Sequence, residues 1–250
     1  MRVEAIYISP VKSLALQRLE RTTLGKHGTV EDRRFFLISD KARLVTQREV
    51  ASLTQVHAAF TRDPDVLRLA FPDGRVVEGA PTNGEPITSR FFGARDVEGF
   101  LVEGPWDAAM SEFAGMPLRL VRAATSAFDG FPVSICSEAS VQALRTNSGE
   151  ASIEERRFRP NFYISGCDAH GEDAWIGRRV RIGGAIVNVA MADPRCAIVT
   201  HDPDTGERDL STLKMIAAYR PMESKEVNFG VYAGVERPGE IAVGDQVVLL

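Results

Sequence analysis

Apolar residues recur along the chain in short runs closed off by Gly, Pro or Asp, a pattern that predicts strands more often than helices. The runs are Val3–Ser9, Arg34–Ser39, Val66–Phe71, Arg75–Glu78, Leu118–Ala123, Pro132–Ser137, Phe158–Ser165, Arg179–Met191, Ala197–His201, Asn228–Val235 and Glu240–Leu250. Most are rich in β-branched or aromatic residues, which suit a pleated, half-buried surface. Arg179–Met191 is too long for one strand, and Gly183-Gly184 splits it into a hairpin because paired glycines accept positive φ. Helical spacing is rarer. Ser137 can cap a helix in which Val141 and Leu144 share a face, and Ser211 one that carries Leu213, Ile216 and Ala217 and closes before Pro221. Asp107 is expected to cap a third, which includes Phe113 and stops at Gly115-Met116-Pro117, and a helical turn follows Arg48. Many short strands with a few short helices describe a mainly-β (all-β or α+β) chain of two β-barrel-like units. The small, polar, Gly-containing stretch Ala123–Phe131 is the expected boundary, giving units 1–122 and 123–250.

Composition narrows the class. The chain has 250 residues, 44% hydrophobic and 26% charged, which is ordinary globular content with room for one large domain or two small ones. A formal net charge of -4 argues against whole-surface attraction to nucleic acid or an anionic membrane, while leaving room for a local basic pocket. The three cysteines, Cys136, Cys167 and Cys196, form no CxxC pair and no disulfide framework. That fits a reducing compartment and speaks against a zinc knuckle or an intrinsic iron–sulfur cluster. Met1-Arg2-Val3-Glu4 leads directly into a strand, without a secretory or transit pattern, and no apolar run is long enough to span a membrane. The expected location is cytoplasmic.

Several residue groups could carry chemistry. Cys196, in Asp193-Pro194-Arg195-Cys196, sits where a proline-broken turn is expected to enter a strand. Its thiolate would suit a soft metal or serve as a nucleophile, but a packed free cysteine, the commoner state, fits as well. Lys12 and Ser13 follow the strand-ending Pro10 and offer two donors to a phosphate, or are simply a solvated lysine and a turn serine. Arg33 and Arg34 precede a strand, so alternation lets only one face a given pocket, and a surface ion pair is the usual state of either. Arg159 and Asn161 alternate with Phe158 and Phe162 and are expected on one strand face, either a recognition surface for an oxyanion or heterocycle edge or an exposed face. His27, His57, His170 and His201 make no HxH or HExxH spacing, and Asp202, Asp204 and Glu207 fit a turn better than an EF-hand. Walker-A, GxGxxG and GxSxG motifs are absent.

Taken in order, the fragments resemble the MOSC family, in the branch with an added N-terminal β-barrel domain that includes the amidoxime-reducing proteins. The resemblance is carried by Pro10-Val11-Lys12-Ser13, Asp32-Arg33-Arg34, Leu44-Val45-Thr46-Gln47-Arg48, Ser137-Glu138-Ala139-Ser140, Arg159-Pro160-Asn161 and Ile164-Ser165-Gly166-Cys167-Asp168. It continues through Glu172-Asp173-Ala174-Trp175, Arg195-Cys196, Asp202-Pro203-Asp204-Thr205-Gly206, Phe229-Gly230-Val231-Tyr232 and Pro238-Gly239-x-Ile241-x-Val243-Gly244-Asp245. The resemblance implies that Cys196 is the catalytic thiolate ligand of molybdenum. It also implies that Lys12, Ser13 and Arg33 hold the molybdopterin phosphate and ring, that Arg159 and Asn161 contact the pterin, and that Arg195 and Tyr232 belong to the cofactor site. Gly130 and Phe131 would contribute mainly backbone contacts.

Two departures stand out. Pro194 replaces the small polar residue that often precedes the Arg-Cys pair, and Arg34 competes with Arg33 for the cofactor role. The implied activity is two-electron reduction of an N-hydroxylated or N-oxide small molecule. Electrons would come from a separate flavin or iron–sulfur protein, since no ferredoxin-like domain follows the closing strand, and neither nucleic acid nor membrane is an expected partner. A sulfur or cofactor carrier without redox turnover is the alternative. The cofactor reading further expects Lys12, Arg33 and Arg159 to converge near Gly130, Cys136 and Cys167 to be structural, and substrate contacts to come from the loops 168–175 and 221–228.

Overall fold

The computed structural model describes residues 1–92, 95–220 and 226–250, and these are mostly strands with three α-helices among them. The largest sheet has eight strands in the order Val247–Leu249, Arg179–Ile182, Ala185–Arg195, Val227–Arg237, Val133–Ser137, Phe162–Ser165, Arg2–Ile8 and Gln17–Leu19. Its neighbours run antiparallel except Val133–Ser137 beside Phe162–Ser165, which is parallel. A parallel pair needs a crossover, and the helix Glu138–Ser148 supplies it. The first strand of the chain thus lies within a sheet built mainly from residues beyond 130.

A five-stranded sheet runs Thr82–Phe91, Arg95–Glu103, Arg119–Ala123, Phe35–Ile38 and Leu44–Val45. Two three-stranded sheets accompany it, one of Gly239–Ala242, Arg21–Gly25 and Gly28–Thr29, the other a meander of His57–Arg62, Asp65–Ala70 and Val76–Gly79. Among the described residues these ladders do not close into a complete barrel; the mainly-β class stands on stacked open sheets. The large sheet packs one face on the strands around Leu24 and Ile241. Its other face packs on the helices through Val141, Leu144 and Ile216. The five-stranded sheet and the meander bury Phe35, Leu37, Leu67, Leu69 and Trp106 between them.

Local chemistry explains several elements. Gly183-Gly184 forms the hairpin turn, with Ile182 paired to Ala185. Ser137 caps its helix by accepting from the Ser140 amide at 3.2 Å, with Val141 and Leu144 fully buried. The helix Thr212–Tyr219 ends at Arg220, before Pro221, which lies outside the described residues. A 3-10 turn at Ala51–Gln55 follows Arg48 as expected.

Three expectations are corrected. The helix Trp106–Ala114 has Pro105 at its cap position; Asp107 lies inside the first turn and accepts from the Leu120 amide at 2.7 Å, tying helix to strand. Ala197–Thr200 is a 3-10 turn, so Cys196 terminates a strand where it was expected to enter one. The strand expected from Phe158 begins only at Phe162: Glu155–Phe158 is a 3-10 turn, Arg159 is left-handed at φ 49, and Pro160 offers no N–H to a ladder. Arg159 and Asn161 therefore share no strand face.

The long hairpin of Thr82–Phe91 with Arg95–Glu103 was not legible in the sequence. Gly84 and Pro86 interrupt its first strand, most of whose residues are at least partly exposed, so pairing with its partner holds it in place of an apolar rhythm. Gly104, at φ +149, ends the hairpin, and a Cβ there would stand 2.1 Å from the buried Trp106 ring. Gly104→Ala is expected to cost about 2 kcal/mol or more, read as a lowered denaturation midpoint. An unchanged midpoint would mean that the ring moves aside freely.

Candidate functional site

Proline stops the first strand, and the next residues turn back to form one wall of a cavity. Ser9 Oγ donates to the Val11 carbonyl at 2.8 Å and the Leu14 carbonyl at 3.1 Å, which folds the segment into a tight turn. Backbone bonds stitch this turn to the next one: Arg33 N donates to Ser9 O, Phe35 N to Pro10 O and Lys12 N to Phe35 O, at 2.8 to 2.9 Å. Lys12 and Arg33, distant in sequence, are thereby brought to the same wall. Buried Asp32 is the bracket. Its Oδ1 accepts from Ser9 N at 2.8 Å, and its Oδ2 accepts from Asn161 Nδ2 at 2.9 Å and from Arg33 Nη1.

All ten residues singled out from the sequence line one cavity of about 480 Å³: Lys12, Ser13, Arg33, Gly130, Phe131, Arg159, Asn161, Arg195, Cys196 and Tyr232. Arg34 does not line it. It turns away and donates to Thr125 O at 3.2 Å, so of the two arginines Arg33 is the one that faces the cavity. Among the described residues seven non-glycine residues have positive φ, and four of them, Ser13, Arg33, Phe92 and Arg159, line this cavity. Backbone strain of this kind persists where the surrounding structure enforces it, and it collects at functional sites.

The electrostatics are one-sided. Lys12, 4% exposed, donates to Ala127 O at 2.8 Å and Asp129 Oδ1 at 2.6 Å. Burial, resisted by Asp129 and reinforced by Arg33 and Arg159, holds its ammonium below the usual lysine range. Burial also works against the charge on Arg33, but Asp32 and Asp129 outweigh it and raise its pKa. Arg159 makes no close ion pair among the described residues, and the pull of Asp32 and Asp129 on it is the weaker influence. Its Nη2 donates to the Leu14 carbonyl at 2.8 Å, and burial together with the like charge of Arg33 brings it down to about 10. A depressed arginine marks a cation that the ligand-free fold compensates only in part. Arg159→Gln is accordingly expected to raise the thermal midpoint of the ligand-free protein and to weaken binding of inorganic phosphate. Calorimetry with and without phosphate reads both effects, and a lowered midpoint would show that the bond to Leu14 outweighs the charge.

Arg195 and Asn161 are differently placed from the other polar groups. The guanidinium of Arg195 donates to Phe229 O and Phe158 O at 2.7 Å each and stands 2.7 Å from Asp193 Oδ2. Asn161 accepts from Ser134 N and Oγ and donates to Tyr7 O and Asp32, so both ends of its amide are occupied by protein. Both residues position the wall around them. Cys196 is partly exposed and follows Arg195 directly, at the cap of the Ala197–Thr200 turn. Cys136 is fully buried and Cys167 partly buried, and neither lines the cavity, so no second thiol stands beside Cys196. Among the described residues no cluster of three His, Cys, Asp or Glu could hold a metal by itself.

The MOSC domain matches residues 123–248, and the MOSC N-terminal beta barrel domain matches residues 1–96. The chain belongs to the MOSC family. This MOSC protein is 32% identical to mitochondrial amidoxime-reducing component 1 of Homo sapiens, over 99% of this chain and 82% of the relative. It is 31% identical to mitochondrial amidoxime reducing component 2 of Bos taurus, over 98% and 82%. Among solved structures, the YUAD protein from Bacillus subtilis aligns with a TM-score of 0.48 and 14% identity over 98% of this chain and 93% of that one.

The MOSC protein also lines its cavity with residues to which sequence reasoning gave no role, notably Arg48 from one of the family motifs, Phe128, Asp129, Met191 and Asp193. Asp193 stood inside a quoted motif; Asp129 had no signal beyond lying beside Gly130. The segment Asp168–Trp175 does not line the cavity: its 3-10 helix Gly171–Trp175 buries Glu172, which accepts from Ser137 Oγ and Ser140 Oγ. Of the second expected loop, residues 221–225 lie outside the described residues, and Glu226 lines the cavity. Asp202 folds its own turn, accepting from the amides of Asp204 and Thr205, as expected of a turn. No described helix is long and apolar enough to cross a membrane.

Proposed function

We propose that this cavity holds a molybdenum–pterin cofactor and that the protein reduces N-hydroxylated or N-oxide small molecules with electrons from a separate donor protein. The observation that carries the reading is a free thiol, Cys196, opening into the same cavity as a basic cluster of Lys12, Arg33 and Arg159, in which burial and the like charge of Arg33 outweigh the carboxylates acting on Arg159. The donor set fits such a group. A thiolate can serve as a ligand to a redox metal, and converging cations answer a dianionic phosphate. Cys196 would supply the single protein ligand, while Lys12, Ser13, Arg33 and Arg159 would hold the phosphate and ring, with backbone groups at Gly130 and Phe131. When bound, the cofactor supplies two-electron redox chemistry. The chain's own residues bind and orient: Asp32 and Asn161 keep the Arg33 turn in place, and Arg195 fixes the end of the strand that carries Cys196.

Names borne by the relatives support the reductase reading, since they are amidoxime-reducing components at about the same identity over nearly the whole chain. Protein purified from a cofactor-competent host is expected to contain molybdenum and pterin in near-stoichiometric amounts. Absence of both sinks the proposal, and a persulfide on Cys196 without metal would favour sulfur carriage.

A further inference from the structure

One carboxyl in the cavity wall is used neither for anion binding nor for metal ligation. Asp193 is 1% exposed yet lines the cavity. It stands at a register shift between Ala192 and Pro194, where Ala185–Arg195 is paired with Val227–Arg237. A bulge re-aims a side chain that regular alternation would send elsewhere. Its Oδ2 lies 2.7 Å from Arg195 Nη2 as an ion contact, without an aligned hydrogen bond. The Tyr232 side chain faces the carboxyl, acting on it as a donor that favours the ionised form, and itself lines the cavity. Gly130 allows the ring this position, since a Cβ there would come within 3.2 Å of it.

The groups that act on Asp193 are Arg195, Tyr232, Asp129 and Arg33. Burial outweighs the opposing pull of Arg195 and Tyr232 and pushes the carboxyl up to about 6. An arginine partner ordinarily keeps a carboxylate ionised and low; this one is poised to carry a proton near neutral pH.

We infer that Asp193 and Tyr232 form the proton-delivery pair of the site, with Tyr232 at the cavity face and Asp193 holding the proton behind it. The inference rests on the reductase reading. Reduction of an N-hydroxyl compound, R–NH–OH + 2 e⁻ + 2 H⁺ → R–NH2 + H2O, breaks the N–O bond, forms one N–H bond and releases the oxygen as water. The electron pair comes from the donor protein; the two protons must enter through the cavity wall. Other charged wall donors are poorly suited, because the arginines stay protonated near neutral pH and the Lys12 ammonium already gives two of its three donors to Ala127 and Asp129.

The test uses molybdenum-loaded protein, benzamidoxime as probe and reduced viologen as electron source. In the wild type, kcat is expected to fall about tenfold per pH unit above the carboxyl's pKa. Asp193→Asn should lower kcat near pH 6 by about a hundredfold, abolish that pH limb, and leave KM and molybdenum content unchanged. Tyr232→Phe should likewise lower kcat without loss of metal. Asp193→Asn with wild-type kcat and pH profile overturns the inference alone, as does a loss of rate that merely follows a loss of molybdenum. A wild type that holds molybdenum but leaves the probe untouched overturns the reductase reading and this inference with it.

Discussion

Cys196→Ser is expected to leave a folded protein that retains almost no molybdenum and shows only background reduction. Losing a residue that merely supports a metal ligand typically costs about 10–100-fold in affinity or activity, and losing the ligand itself costs more. The cost to the fold is small, because Cys196 is partly exposed and ends a strand whose neighbours are fixed by Arg195. A change within about 0.5 kcal/mol is expected in denaturant titration. Elemental analysis with a parallel unfolding curve checks both halves. Full molybdenum content in the variant would remove Cys196 from the metal's coordination, and loss of metal with a collapsed fold would make the cysteine structural.

Asp32→Ala has the largest expected effect on stability. The carboxylate is 6% exposed and gathers three donors: the Ser9 amide, the Asn161 amide and the Arg33 guanidinium. Truncation leaves a buried cation and two buried N–H groups without partners, and breaking a buried pair in this way costs about 3–5 kcal/mol. For a chain of this length that corresponds to a drop of roughly 10 °C in thermal midpoint. Asp32→Asn keeps the shape and one acceptor and should cost less. Because the same bracket holds the Lys12 and Arg33 turns together, phosphate binding should fall with stability in the alanine variant. A loss below about 1 kcal/mol would show that Asp32 is not the bracket.

Side-chain chemistry and chain rhythm made much of this protein legible in advance. The glycine hairpin at Gly183-Gly184, the Ser137 cap and the strand runs follow from local rules, since a turn, a cap and an alternating face each depend on a few adjacent residues. The ten cavity-lining residues were legible as an ordered set through the family resemblance, although Lys12, Arg33, Arg159 and Cys196 each alone had an ordinary explanation. Where local rules failed, long-range pairing had won. The Thr82–Phe91 strand has no clear apolar rhythm and is held by its partner. Ala197–Thr200 has strand-like residues but turns because the chain must leave the sheet after Cys196. Arg159 and Asn161 were expected on one strand face, yet a left-handed residue and a proline place them in the cavity wall by another route.

By itself the sequence determined the mainly-β class, the family and the identity of the thiol and basic residues, because those depend on composition, short-range order and the succession of motifs. Tertiary structure alone decided which arginine faces the cavity, which polar groups are free to meet a ligand and which are consumed as braces. It also decided that Asp193, an unremarked residue before a proline, is turned by a bulge into the site and held near neutral titration. The reason is physical. Hydrogen-bond commitment and desolvation are set by neighbours that fold in from distant parts of the chain, and no window of adjacent residues contains them.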